Sequence, residues 1–148
     1  MTYTLNTRAV RTPKHLWIIG IVTLLWNAMG AFDYLMTQTL NDSYMGQFTP
    51  EQLEFFTGFP SWVVALWAIA VWGGVLGSIL LLLRKSLAVT VFTVSFVSML
   101  ITAIQNYAFS NAIEVTGMFG LMFSVVIFLV ALGLVLYSRA MRERGVLV

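Results

Sequence analysis

Apolar residues occur in four long runs that are separated by short polar segments. The runs cover about residues 16–36, 61–83, 87–109 and 117–138. Each has roughly 20 residues, the number that a helix needs to cross ~30 Å of hydrocarbon at ~1.5 Å per residue. We therefore predict an all-α membrane protein whose single domain, residues 1–148, is an antiparallel bundle of four transmembrane helices.

The composition agrees with this class of protein. Of the 148 residues, 59% are hydrophobic and 9% are charged, a balance that soluble domains do not show. The first run follows basic residues, as in a signal peptide, but it is longer than the usual ~7–15-residue apolar segment, so we expect it to be retained as a span. With no cysteine, disulfides, thiolate metal sites and thiol redox chemistry are excluded.

All eight basic residues fall on one side of the predicted bundle. They are Arg8, Arg11 and Lys14 before span 1, Arg84 and Lys85 between spans 2 and 3, and Arg139, Arg142 and Arg144 after span 4. The two loops on the other side contain acidic residues, namely Asp42, Glu51, Glu54 and Glu114. Because Lys and Arg in short flanks stay in the cytoplasm during insertion, we predict cytoplasmic N- and C-termini and two outer loops.

The first outer loop contains the signals of a short capped helix. Thr49 fits the N-cap, Pro50 the first helical position and Gln52 the partner in a capping box, while Gly58 fits the end. We predict a short amphipathic helix at about residues 50–57. It either only joins spans 1 and 2, which we favour, or lies over the bundle as a lid or partner-docking surface.

Span 2 contains two pairs of small residues at a spacing of four. Gly73 pairs with Gly77, and Gly74 pairs with Ser78. Such pairs let a neighbouring helix come close in lipid, where packing rather than hydrophobicity drives association. Packing within the chain and dimerisation both fit this pattern, and we favour packing within the chain.

Span 3 contains a polar stripe. Ser95, Ser98, Thr102 and Gln105 recur at spacings of three and four, so they share one helix face. We assign the first three to helix packing, through hydrogen bonds to backbone carbonyls or to another helix. Gln105 and its neighbour Asn106 lie near the outer end, where they need partners if they are buried and none if water reaches them.

Span 1 contains an amide and an acid. Asn27 falls near the span centre, and we predict a helix-packing hydrogen bond for it. Asp33 lies ~10 Å further out, at about the height of Gln105 and Asn106. We predict a polar layer of Asp33, Tyr34, Gln105 and Asn106 as the candidate ligand or proton pathway.

Two interpretations of Asp33 stay open. An acid inside a span is by default a functional candidate, and a buried Asp33 would be a neutral acid that donates a hydrogen bond to a carbonyl ligand or to Gln105. Near the outer boundary, the carboxylate can also reach water and accept hydrogen bonds from the first outer loop.

No set of catalytic residues is recognisable. The spans contain no cysteine nucleophile and no combined His, Asp and Ser set, so we predict no enzyme activity and no catalytic residue. The sole histidine, His15, cannot supply the paired ligands of a membrane haem, and no metal site is predicted. We predict no cofactor, while a bound lipid or quinone stays open. The basic residues are split over three segments, so we expect no nucleic-acid partner.

Three stretches of the chain resemble a group of small four-span bacterial proteins. They are TPKHLWIIG through WNAMGAFDYLMTQT, YMGQFTPEQLEFFTGFPSWV and VWGGVLGSILLLLRK, within about the first 110 residues. Members of this group are sometimes labelled sugar transporters. The resemblance implies a multi-pass protein of the bacterial inner membrane and assigns no role to individual residues.

Two functions are compatible with these features. We favour a non-enzymatic accessory or interaction subunit of a larger membrane complex, which uses Trp-rich and Gly-rich helix faces. The alternative is a small oligomeric transporter of a small molecule, with Asp33 as the proton- or substrate-linked acid. In both, we expect membrane lipids and either a protein partner or further copies of the chain as neighbours; an enzyme acting on a lipid or quinone comes third.

Overall fold

The structure is a computed structural model that describes residues 10–148, and Arg8 lies outside the described residues. Within this range it is built from helices, without strands. The helices are α1 (Lys14–Gln38), α2 (Asp42–Met45), α3 (Pro50–Thr57), α4 (Ser61–Leu82), α5 (Leu87–Ala108) and α6 (Ala112–Glu143). Helices α1, α4, α5 and α6 are long and apolar enough to cross a membrane. The predicted all-helical class with four spans is therefore confirmed.

Helix α6 is the element that differs most from the predicted bounds, because it starts five residues earlier and ends five residues later. Gly117 interrupts its helical backbone with φ 66° and ψ −170°, a conformation that glycine adopts without a steric penalty. At the other end the helix continues past Ser138, since Arg139 and Arg142 favour helix as well as apolar residues do. The change from apolar to charged residues therefore marks the end of the apolar run and not the end of the helix.

The four long helices pack in the order α1, α4, α5, α6. Helix α4 contacts both α1 and α5, and α6 contacts α5. Helices α6 and α1 meet through long side chains: His15 Nδ1 lies 2.6 Å from Tyr137 Oη, and the rings of Trp26 and Phe123 are 6.1 Å apart. Helix α4 thus packs between α1 and α5, and α5 packs between α4 and α6.

The glycines of α4 allow this close packing on both sides. A Cβ atom at Gly77 would lie 2.6 Å from the ring of Phe92 on α5, and one at Gly73 would lie 2.9 Å from a side-chain atom of α5. A Cβ atom at Gly74 would lie 2.4 Å from Oδ1 of Asn27 on α1. The Gly73–Gly77 pair is therefore in contact with α5, and the Gly74–Ser78 pair is in contact with α1. Both contacts lie within the chain, the arrangement that we favoured over dimerisation.

A cluster of buried apolar side chains lies at one end of the bundle, which we call the basic end. That end contains Arg11, Lys14, Arg84, Lys85, Arg139, Arg142 and Arg144. The buried group joins α1, α4, α5 and α6, and it includes Val146 and Leu147 from the segment after α6. This segment is held by backbone hydrogen bonds to the α4–α5 turn, from Val148 N to Arg84 O at 2.8 Å and from Ser86 N to Val148 O at 2.9 Å. We call the opposite end the α3 end.

Replacing Gly77 with alanine is expected to destabilise the bundle by about 1–3 kcal/mol, because the added methyl group overpacks the contact with Phe92. The matched control is Gly133→Ala in α6, where a Cβ atom would meet nothing within 4 Å and where alanine favours helix over glycine. Thermal unfolding in mild detergent measures the stability of both variants. Equal midpoints for the two variants would contradict the close contact of α4 with α5.

Candidate functional site

Asp33 is hydrogen-bonded to the segment that follows α1. Asn41 caps the short helix α2, and its side chain accepts a hydrogen bond from Tyr44 N at 3.1 Å. This places the Tyr44 hydroxyl against α1, where it donates a hydrogen bond to Asp33 Oδ1. Both side chains are partly buried. Asp33 therefore anchors the α1–α4 connection, as the second interpretation of this acid allows.

The environment of Tyr44 favours its role as the donor. Burial is the largest effect, and the hydrogen bond and charge of Asp33 add to it, so that the pKa of Tyr44 rises from 10.0 to about 12. Near neutral pH the phenol is therefore protonated. Its O–H group donates to the carboxylate, an arrangement that is stronger than a hydrogen bond between neutral groups.

A series of aromatic side chains connects α1 through α2 and α3 to α4 and back to α1. Its successive contacts, with ring-centroid distances, are Phe32–Tyr44 at 5.9 Å, Tyr44–Phe48 at 5.6 Å, Phe48–Phe56 at 5.6 Å, Phe56–Phe59 at 6.3 Å, Phe59–Trp67 at 6.1 Å and Trp67–Tyr34 at 5.0 Å. All are edge-to-face, a geometry that contributes about 0.5–1.5 kcal/mol per pair beyond burial. We call this series the aromatic collar. It begins and ends on the two chain neighbours of Asp33.

Helix α3 is capped by its own side chains and bonded to α6. Gln52 N donates to Thr49 Oγ1 at 3.3 Å, and Thr49 N donates to Gln52 Oε1 at 3.1 Å, with Pro50 at the first helical position. The amide of Gln52 also donates to Val115 O at 3.5 Å. Helix α3 therefore contacts α6 in addition to joining α1 to α4.

Gln105 and Asn106 lie in two further environments at the α3 end. Gln105 lines an open cleft of about 470 Å³, whose other lining residues are Glu51, Glu54, Phe55, Gly58, Phe59, Pro60, Ser110, Asn111 and Val115. Asn106 Oδ1 is buried without a hydrogen-bond partner in the described part of the chain. The hydrogen bond of Asp33 goes to Tyr44, and none connects Asp33 with Gln105 or Asn106 within residues 10–148. Tyr34 packs against Trp67 in the collar.

Asn27 lies between α1 and α4, where helix packing was predicted for it. Its amide donates to Ser78 Oγ at 3.1 Å and to Thr23 O, one turn earlier in α1, at 2.9 Å. Ser78 Oγ in turn donates to Gly74 O at 2.9 Å. The amide nitrogen at mid-bundle is therefore occupied by hydrogen bonds within the chain.

The stripe on α5 faces α4. Ser95 Oγ donates to Ala70 O on α4 at 2.6 Å, and Thr102 Oγ1 donates to Ser98 O one turn earlier at 2.9 Å. Ser95 and Ser98 are buried. Gln105 continues this stripe in sequence, but it reaches the cleft at the α3 end.

The sequence patterns did not single out Tyr44 as the partner of Asp33. Asn41, three residues after the end of α1, is an N-cap signal and would have suggested a short helix at α2. The hydrogen bond itself joins residues eleven positions apart across a turn. Helix α1 ends at Gln38, between the two residues, so helical spacing did not predict the pair.

The chemistry of this site is that of a structural anchor. It offers a carboxylate acceptor, a phenol donor and aromatic rings, and no group of three or more His, Cys, Asp or Glu residues suited to a metal ion occurs in the part of the chain that the structure describes. No protein-family model, curated protein or solved structure matches this chain.

Replacing Tyr44 with phenylalanine is expected to destabilise the fold by about 1–2 kcal/mol, because the Asp33 carboxylate loses a charge-assisted hydrogen bond. The control Tyr34→Phe keeps its ring contact with Trp67 and should leave stability close to wild type. In a double-mutant cycle with Asp33→Asn, measured by denaturant unfolding in mild detergent, the two substitutions should be coupled. Simple additivity would show that the two side chains do not interact.

Stability is also expected to fall as the pH rises from about 10 to about 12. The pKa of Tyr44 is higher in the folded chain, so in this window the unfolded chain releases the proton while the folded chain retains it. Unfolding midpoints measured against pH should show a smaller decline for Tyr44→Phe. Absorbance at the tyrosinate band should show Tyr44 titrating at lower pH in Asp33→Asn, and an unchanged titration would contradict the contact.

Proposed function

We propose that the chain is a non-enzymatic accessory or interaction subunit of a larger complex in the bacterial inner membrane. The observation that carries this proposal is that three polar side chains in the packed part of the bundle bond to another side chain or to the backbone. Asn27, Ser95 and Thr102 each donate within the chain. Polar groups that bind a transported solute would instead line an accessible cavity.

The proposed orientation has both termini in the cytoplasm. The described cations collect at the basic end, as the positive-inside rule expects for short flanks. The α3 end contains exposed carboxylates, including Glu51, Glu54 and Glu114. In this orientation the aromatic collar and α3 lie at the outer surface, and the segment after α6 lies inside.

The surface available to a partner is the outside of the bundle. The glycine faces of α4 are already in contact with α1 and α5, so they cannot serve a partner as well. Three tryptophans are nearly half exposed, Trp17 at 46%, Trp62 at 49% and Trp72 at 43%. Tryptophan supplies much contact area at small entropic cost, and it is enriched where binding energy concentrates. We therefore propose partner contact through the tryptophan-bearing faces.

Native mass spectrometry of the full chain, isolated in mild detergent from its own host, tests this proposal. We expect a complex of defined mass that contains a second kind of chain. Trp72→Ala should weaken this complex, because it shortens an exposed side chain and leaves the glycine contacts of α4 intact. A chain that is found only as a monomer or homo-oligomer would overturn the accessory role.

A small oligomeric transporter is the second candidate. It is favoured by one observation, the buried and unpartnered Oδ1 of Asn106, since a buried acceptor without a donor is costly. Proton flux into vesicles that contain the protein and a trapped pH indicator separates the candidates. Proton flux that is abolished in Asp33→Asn and unchanged in Tyr44→Phe would favour the transporter. Proton flux no greater than that of protein-free vesicles would exclude a proton-coupled transporter.

A further inference from the structure

A second cleft lies at the basic end, between the first two turns of α5 and the last turns of α6. It measures about 390 Å³, and its lining residues are Val89, Thr90, Thr93, Val94, Arg139, Arg142 and Glu143. None of these residues belongs to the aromatic collar. We propose that this cleft binds the phosphate group of an anionic phospholipid, whose acyl chains lie along the groove between α5 and α6.

The two arginines are placed to hold one phosphate group together. They are three residues apart on α6, so they project from the same side of the helix, and both are exposed. A guanidinium group presents its donors in a planar fork that matches two phosphate oxygens. The exposed Thr90 on α5 adds a neutral hydroxyl on the facing helix, whereas Thr93 already donates to Val89 O at 2.7 Å.

The charge of this end selects an anion. Seven basic side chains of the described chain collect there against a single acidic side chain, Glu143. Inside the cleft, the two arginines exceed Glu143 by one positive charge. The Glu143 carboxylate can accept a hydrogen bond from a hydroxyl-bearing headgroup such as glycerol, so phosphatidylglycerol is the probe that fits best.

The surroundings of the cleft favour a lipid over a free phosphate ion. On α5, Val97 follows Thr93 by one turn and is 46% exposed, and on α6, Leu136 precedes Arg139 by three residues and is 56% exposed. Residues at these spacings lie on the same helix faces as the cleft. The charged cleft therefore opens onto apolar side chains that are available to acyl chains, which a soluble anion would not use.

Lipid retention by the full-length protein tests this inference. The purified chain is incubated in mild detergent with phosphatidylglycerol or phosphatidylcholine, and bound lipids are counted by native mass spectrometry. For Arg139→Gln/Arg142→Gln, affinity for phosphatidylglycerol should fall at least about tenfold, since each cation near an anionic headgroup contributes ~1 kcal/mol. The control Arg11→Gln/Arg144→Gln removes the same charge outside the cleft and should change affinity by less than about twofold.

A second variant keeps the test independent of folding. Arg139→Lys/Arg142→Lys retains the charge but loses the planar fork, so affinity should fall to an intermediate level, with circular dichroism unchanged. Equal losses in the cleft and control variants, or equal binding of the two lipids, would overturn the inference. Displacement of phosphatidylglycerol by inorganic phosphate at equal concentration would show that the ligand is a soluble anion and would overturn the assignment to lipid.

Discussion

The bundle depends on the close contact of α4 with its two neighbours. Between helices in lipid there is no hydrophobic driving force, so van der Waals packing and interhelical hydrogen bonds must hold them together. Gly77 leaves space for the ring of Phe92, and Gly74 leaves space for the amide of Asn27. The same approach lets Asn27 reach Ser78. One helix with small residues on two sides thus positions α1 and α5, and α5 in turn supports α6.

The packing of α1 against α4 also organises the α3 end of the bundle. Once α1 and α4 are in contact, Tyr34 and Trp67 meet edge to face, and the collar has fixed points on both helices. Tyr44 enters the collar and also donates to Asp33. A carboxylate in a span is costly unless it is solvated or hydrogen-bonded. The connection between α1 and α4 supplies this hydrogen bond to Asp33 through Tyr44. Asp33 and the aromatic collar therefore both hold this connection in place.

The two ends of the bundle differ in construction and in charge. The basic end has a buried apolar cluster and is closed by the segment after α6. The α3 end is covered by short helices and has exposed carboxylates. Polar groups at mid-bundle form hydrogen bonds within the chain. This favours a function that depends on the outer surface of the bundle. The tryptophan-bearing faces and the arginine cleft are two such surfaces; we propose a protein as the neighbour of the first and an anionic lipid as the neighbour of the second.

The sequence by itself determined the class of protein and the number of spans, because the length and hydropathy of a run decide whether a helix can cross lipid. It also contained the capping box of α3, since its two hydrogen bonds join residues three positions apart. Only the tertiary structure decided which glycine pair contacts which helix, and that Asp33 bonds to Tyr44 while Gln105 lines a cleft. Periodicity places a residue on its own helix, but the rotation of that helix against its neighbours follows from side-chain packing. Equal height therefore did not bring Asp33 and Gln105 into one hydrogen-bonded layer.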